Sequence, residues 1–352
     1  MTRFQSAGRP NASLLRRELL IGAGSMGLVG CSAKATLTAS TTPKLDMKQL
    51  NGDIAAIAAR LRPAVLGAGL MNLESGEVWS LNGERPFPMQ SVFKAPLGAY
   101  ALSEVDAGLL SLDQVFTLDD IDLSPSYSPI ADAWPARRDY TARELLVAAV
   151  GMSDNTAADI LMRRVGGPGA LTAWLVGKKI EEVRVDRYER ELQPESVGMA
   201  SFRPAWKGEA AYLAALRSVP PEVRRAAVVR YLADPRDTAT PRGMLTFLGM
   251  LAAGELISRA STALLLQIMT NTPTGAHRLK AGLPPGATLA HKTGTARTDQ
   301  GMNPAINDVG IVTLPDKRAY AAAVFLSGST LDDAARDAAI ADVARAMIRG
   351  VG

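Results

Sequence analysis

Residues 308–327 read DVGIVTLPDKRAYAAAVFLS, two apolar runs parted by Pro315, Asp316 and Lys317. Short runs of Val, Ile, Ala and Phe around such a turn predict neighbouring antiparallel strands. Residues 332–349 follow, with Ile340, Val343, Ala344 and Met347 on one stripe of a closing helix. The other end of the chain offers matching pieces. Leu50, Ile54, Ile57 and Leu61 predict an amphipathic helix over 47–62, and GAGLMNLE and EVWSLN read as two short strands around Glu74, Ser75 and Gly76. Terminal strands of this kind can join into one sheet, with the middle of the chain inserted as a second lobe.

That middle reads as helical. A helix is expected over 91–106, and Thr141 and Glu144 are spaced as a capping box for a helix to about Gly151. Another runs from Thr156 to Val165 and stops at Gly166 and Gly167. Alanine-rich segments over 205–217, 221–232 and 242–268 are helical, whereas polar 179–204 reads as a long ordered loop. The expected fold is therefore α/β and two-lobed. An antiparallel sheet with terminal helices (47–88 and 288–350) would carry an all-helical lobe (89–287).

Composition narrows the function. At 47% hydrophobic and 21% charged, the 352 residues have the balance of a globular protein with a sizeable core. One cysteine, Cys31, excludes an internal disulfide and a Cys-rich metal site, and His277 and His291 are too few for a His-based zinc centre. Neither a metal nor an organic cofactor is expected. The net charge of +4 is no nucleic-acid signal, because +3 of it lies in residues 1–30, with Arg3, Arg9, Arg16 and Arg17 against Glu18.

Those thirty residues read as a targeting segment. After Arg16 and Arg17 comes LLIGAGSMGLVG, too short and Gly-rich to span a bilayer, ending at Cys31. Leu28-Val29-Gly30-Cys31 resembles the lipobox of bacterial lipoproteins, and the Arg pair resembles a twin-arginine export signal. The expectation is a signal peptide over 1–30, lipidation of Cys31, a Ser/Thr/Ala-rich tether over 31–46 and a lipid-anchored monomer on the envelope side of the membrane.

Three short motifs can carry chemistry. In Ser91-Val-Phe-Lys94 a helical i, i+3 spacing brings an amine near a serine hydroxyl, whose proton a neutral amine can take. In Ser153-Asp154-Asn155 the serine can relay a proton, Asp154 can fix the loop through backbone N–H groups, and the Asn155 amide can bind an acylamide. In His291-Lys292-Thr293-Gly294-Thr295 an extended chain offers a cation and hydroxyls for a carboxylate, and its glycine permits close backbone approach. Singly, each is as well explained by a solvated face, a helix cap or a polar edge strand.

In this order the three resemble the motif set of the serine β-lactamase and penicillin-binding protein superfamily. A charged stretch between the second and third, residues 184–193, resembles the omega loop of class A β-lactamases. The resemblance covers roughly residues 47–350. It implies Ser91 as the acylated nucleophile, Lys94 as its proton-handling partner and Ser153 as the relay to the leaving nitrogen. It further implies Asn155 for the acylamide, Glu189 for the deacylating water, and Lys292 and Thr293 for the substrate carboxylate. The backbone N–H groups of Ser91 and Thr295 would form the oxyanion hole, and Asp186 and Arg187 match structural charges of the loop. Gln193 stands where many members have Asn to hold the water, and Arg190 where proline is usual. Arg278 resembles an alternative carboxylate anchor. The implied activity is hydrolysis of β-lactams through a serine-bound acyl-enzyme. A DD-peptidase or transpeptidase acting on peptidoglycan, and a degenerate non-enzymatic envelope domain, are the alternatives.

Overall fold

The helix expected at 47–62 forms as α1 (Met47–Arg60), capped where the Asp46 carboxylate accepts Gln49 N at 2.9 Å. The computed structural model describes residues 44–352; the leader and Cys31 lie outside these. In chain order there follow β1 (Val65–Asn72), β2 (Val78–Leu81), β3 (Phe87–Pro88), α2 (Lys94–Asp106) and β4 (Val115–Thr117). Next come α3 (Pro129–Ala133), β5 (Asp139–Thr141), α4 (Ala142–Leu146), α5 (Asn155–Arg164), α6 (Pro168–Gly177) and α7 (Glu189–Ser196). The chain continues through α8 (Glu209–Arg217), α9 (Pro221–Ala233), β6 (Thr238–Ala239), α10 (Pro241–Ala253) and α11 (Arg259–Thr270). It ends with β7 (Thr288–Thr295), β8 (Asn303–Thr313), β9 (Ala319–Ser329) and α12 (Asp333–Arg349).

The terminal pieces do combine. Five antiparallel strands lie in the order β2-β1-β9-β8-β7, so β9 at the centre joins the N-terminal hairpin to the C-terminal strands. Ala322, Val324 and Leu326 of β9 belong to a core with Leu50, Ile54, Ile340 and Val343 of α1 and α12. The alternate residues Ala321, Ala323 and Phe325 belong to a second core with Leu97, Leu245 and Leu248 of α2 and α10. Burial on both faces is why this strand reads as a continuous apolar run rather than an alternating one.

Several expectations change in detail. The middle of the chain is helical except for two short ladders, β3 with β6 and β4 with β5. The segment over 242–268 is two helices, because Gly254 adopts φ +72° and ends α10 in a left-handed cap. The helix expected from residue 91 begins as a tight 3₁₀ turn, Gln90–Phe93, and α6 had no clear signal. The polar loop over 179–204 contains α7, whose Leu192 is its lone buried aliphatic and which carries Pro194 inside it. Its helical form depends on tertiary contacts that periodicity does not report.

Ile340 is fully buried between α12 and the sheet. Ile340→Ala is expected to lower stability by about 2–5 kcal/mol, read from the urea midpoint at unchanged slope.

Candidate active site

The 3₁₀ turn Gln90–Phe93 presents Ser91 to a cleft of about 330 Å³ that Ser153, Asn155, Gln193, Arg278 and Thr295 also line. Lys94, one turn on, is fully buried. Its Nζ donates to Ser153 O at 2.8 Å and Asn155 Oδ1 at 2.5 Å and pairs with Glu189 Oε1 at 2.9 Å. The Ser91 Oγ donates to the same Glu189 oxygen at 3.5 Å. Thus the hydroxyl of Ser91 and the amine of Lys94 meet at one carboxylate oxygen, and Ser153 O and Asn155 Oδ1 also accept from the amine.

Glu189 reaches this position from the first turn of α7. Its backbone N–H and that of Arg190 donate to the two oxygens of Asp159, at 2.7 and 3.0 Å. A proline in place of Arg190 could not make the second bond. Its other carboxylate oxygen, Oε2, accepts Gln193 Nε2 at 2.7 Å, and the same amide nitrogen reaches Gln90 Oε1 at 3.1 Å. The alternative in which the carboxylate of Glu189 merely ties down loop backbone does not fit these partners. Farther along the loop, Arg187 is paired with Asp237 at 2.6 Å and Glu195 at 2.9 Å, while Asp237 Oδ1 accepts the N–H groups of Asp186 and Arg187. These contacts close the neck of the loop.

Ser153 has φ +64°, which sends its carbonyl to Lys94 and its hydroxyl to the opposite wall. There Lys292 Nζ donates to Ser153 Oγ at 2.9 Å and to Thr293 O at 2.9 Å. Burial, reinforced by the Lys94 cation, holds the Lys292 amine well below the usual lysine range. Asp154 fixes the turn as expected, accepting Ile130 N and Ala157 N, each at 2.8 Å, while burial pushes its carboxyl up. The Asn155 amide also donates to Pro125 O at 3.0 Å.

Gly294 needs to be glycine for a reason internal to the chain. A Cβ there would meet Met89 O at 2.3 Å, so the strand lies directly against the turn bearing Ser91. Thr293 Oγ1 donates to Thr274 Oγ1 at 3.0 Å. Arg278 is buried beneath the strand end: Nε bonds Asp337 Oδ1 at 2.7 Å, Nη1 bonds Asn307 O at 3.0 Å, and Nη2 bonds Thr295 Oγ1 at 2.8 Å. Asn307 donates to Pro88 O and Met89 O, and Asp308 accepts from Leu279 N and contacts His291.

Asp159 and Gln90 were not legible as site residues. Each is a single polar side chain in an otherwise ordinary stretch, and its meaning comes from a partner 30 or 103 residues away. Among the described residues no group of His, Cys, Asp and Glu could hold a metal ion.

A serine facing a carboxylate, with a buried lysine behind it and a second lysine across the cleft, is the equipment of covalent acyl transfer. The comparisons with known proteins agree. Residues 49–351 match the model of the β-lactamase enzyme family. The extended-spectrum β-lactamase PER-1 of Pseudomonas aeruginosa is 30% identical, over 81% of this chain and 82% of its own length. The β-lactamase VEB-1 of the same species is 28% identical, over 81% and 85%. A crystal structure of a β-lactamase from Chitinophaga pinensis DSM 2588 superposes with TM-score 0.71 at 34% identity, covering 86% of this chain and 99% of that one. The chain belongs to the β-lactamase enzyme family, as a serine β-lactamase of class A type. Neither the peptidoglycan-directed nor the non-enzymatic alternative is favoured by these relatives.

Burial, with the charge of Glu189 adding to it, raises the Asp159 carboxyl from 3.8 to about 6. Between those values the folded chain holds a proton that the unfolded chain has released. The contribution of Asp159 to stability therefore falls as pH rises from about 4 to 6 and is level above that. Asp159→Asn is expected to flatten this fall, measured as urea midpoints across pH 4–7.

Proposed function

We propose that Ser91 opens the β-lactam ring and that Glu189 drives release of the product. The observation that carries this reading is one carboxylate oxygen set 3.5 Å from Ser91 Oγ and 2.9 Å from Lys94 Nζ. In acylation, Ser91 Oγ bonds to the ring carbonyl and its proton passes to the Lys94–Glu189 pair. The ring C–N bond breaks as the departing nitrogen takes a proton from Ser153 Oγ. The proton held by the Lys94–Glu189 pair passes through Lys94 to restore Ser153, which Lys292 orients by its hydrogen bond, so that Glu189 enters deacylation ionised. The backbone N–H groups of Ser91 and Thr295 carry the negative charge that develops on the carbonyl oxygen; losing one such donor costs about 3 kcal/mol. In deacylation, Glu189 removes a proton from a water, the hydroxide attacks the ester, and Ser91 is regenerated with its proton. Gln193 orients Glu189 and that water.

The substrate carboxylate is assigned to Lys292, Thr293, Thr295 and Arg278, and the acylamide to Asn155. Asp337 neutralises part of the Arg278 charge, so this arginine acts chiefly as a directed hydrogen-bond donor.

Glu189→Gln is expected to leave Ser91 open to labelling by penicillin and to slow loss of the label by 10²–10⁴-fold. Intact-mass analysis of the acyl-enzyme reads both steps. Rapid release from this variant would remove Glu189 as the deacylation base, and equally slow release from the unmodified protein would return the DD-peptidase reading.

Export follows from the leader. A mature chain beginning at lipidated Cys31, reached by general or twin-arginine export, would hold the enzyme as a monomer at the envelope on its tether, where β-lactams arrive. Cys31→Ala is expected to release the protein from membranes with activity unchanged, as judged by fractionation and mass of the N-terminal peptide.

A further inference from the structure

Between Ser196, at the end of α7, and Asp237, at the neck of the loop, the chain makes a long excursion through α8 and α9. Helix α9 buries one stripe, Ala227, Val228 and Tyr231. It lies against the turn that follows α7, where a Cβ on Gly198 would meet Val223 O at 3.2 Å and Ala227 Cβ at 3.4 Å. Just past α9, Asp234 pairs with Arg236 at 2.7 Å and with Arg187 at 3.4 Å, and Arg236 reaches Glu195 of α7 at 2.7 Å. These contacts fix α9 against α7.

The hydroxyl of Tyr231 ends a series of hydrogen bonds that starts at the reaction centre. Glu189 Oε2 accepts from the Gln193 amide at 2.7 Å, and Gln90 Oε1 accepts from the same nitrogen at 3.1 Å. Gln90 Nε2 in turn donates to Tyr231 Oη at 2.6 Å. Both Gln90 and Tyr231 are buried, and Gln90 holds φ +48°, in the left-handed region. Burial pushes the Tyr231 phenol up, so its oxygen is a neutral acceptor. Tyr231 does not line the Ser91 cleft, and the steps of ring opening give it no task.

The order of donors along this series is forced. An ionised carboxylate only accepts, so Gln193 must turn its nitrogen to Glu189. The second hydrogen of that nitrogen then needs an acceptor, which Gln90 supplies by turning its oxygen to Gln193. That leaves Gln90 Nε2 facing the interior, where an unpartnered donor is costly, and Tyr231 Oη receives it. With both hydrogens of the Gln193 amide in use, its Oε1 is left to accept one hydrogen of the deacylating water while Glu189 takes the other. We infer that Tyr231 is a positioning residue for deacylation: by accepting from Gln90 it locks the Gln193 amide in the orientation that holds the water. The inference rests on Glu189 being the deacylation base. No water takes part in the acylation steps assigned to Ser91, Lys94 and Ser153, so the lock bears on release of the product and not on formation of the acyl-enzyme.

The test is Tyr231→Phe, which keeps the ring and removes only the acceptor. Intact-mass analysis with benzylpenicillin at short mixing times separates labelling of Ser91 from loss of the label. Labelling is expected at the unmodified rate and release about tenfold slower, in keeping with loss of one hydrogen bond. Gln90→Met, which breaks the same series at its middle, should slow release to a similar degree. Tyr231→Phe combined with Gln193→Ala should release no more slowly than Gln193→Ala alone, because the two act on one amide. A purely structural tyrosine would give additive losses. Unchanged release in either single variant, equal slowing of labelling and release in Tyr231→Phe, or a full tenfold loss on top of Gln193→Ala would overturn the lock. If the unmodified protein releases its label no faster than Glu189→Gln does, the deacylation reading itself fails and the lock falls with it.

Discussion

The ion pair between Lys94 and Glu189 is the contact on which the site depends. Both side chains are fully buried, so each charge has lost its hydration and survives only through its partners. Asn155 Oδ1 and Ser153 O complete the ammonium, and Gln193 Nε2 serves the carboxylate. Removing one member of such a pair typically costs about 3–5 kcal/mol, because the other is left as an uncompensated buried charge. The pair therefore demands that α2, the turn before α5, and α7 converge to within hydrogen-bond distance. Asp159 meets the demand from below, by gripping the backbone of α7, and the Arg187–Asp237 pair meets it from behind.

The opposite wall answers to a different constraint. β7 must press close enough to the Ser91 turn that only glycine fits at 294, and this contact brings Lys292 to Ser153 across the cleft. Two lysines thus approach the same serine-bearing turn from two sides, one on its carbonyl and one on its hydroxyl. Their environments differ. Lys94 has a carboxylate against it, whereas Lys292 has burial and a neighbouring cation, which disfavour its charge. An amine held against a carboxylate and an amine whose charge burial disfavours thus flank the serine that serves ring opening.

Much of this architecture was legible in the chain. The apolar runs of 308–327 announced the central strands because both faces of β9 are buried, and the heptad-like spacing of Leu50, Ile54 and Ile57 announced α1 because only one face is. The three motifs marked Ser91, Lys94, Ser153, Asn155, Lys292 and Thr293, which the fold gathers around one cleft. Helix α7 escaped because its order comes from Asp159 and Asp237, not from a repeating apolar face. The split of 242–268 was signalled only by Gly254, a residue also tolerated within helices.

What the sequence determined by itself was the set of elements and the set of reactive groups, since hydrophobic period, caps and residue chemistry are local properties. The tertiary structure alone decided which groups meet. It set one oxygen of Glu189 against both Ser91 and Lys94, gave Gly294 its role against Met89, and tied α8 to Ser126. Those outcomes depend on distances between residues tens to hundreds of positions apart, and such distances are fixed only when the cores on the two faces of the sheet are packed.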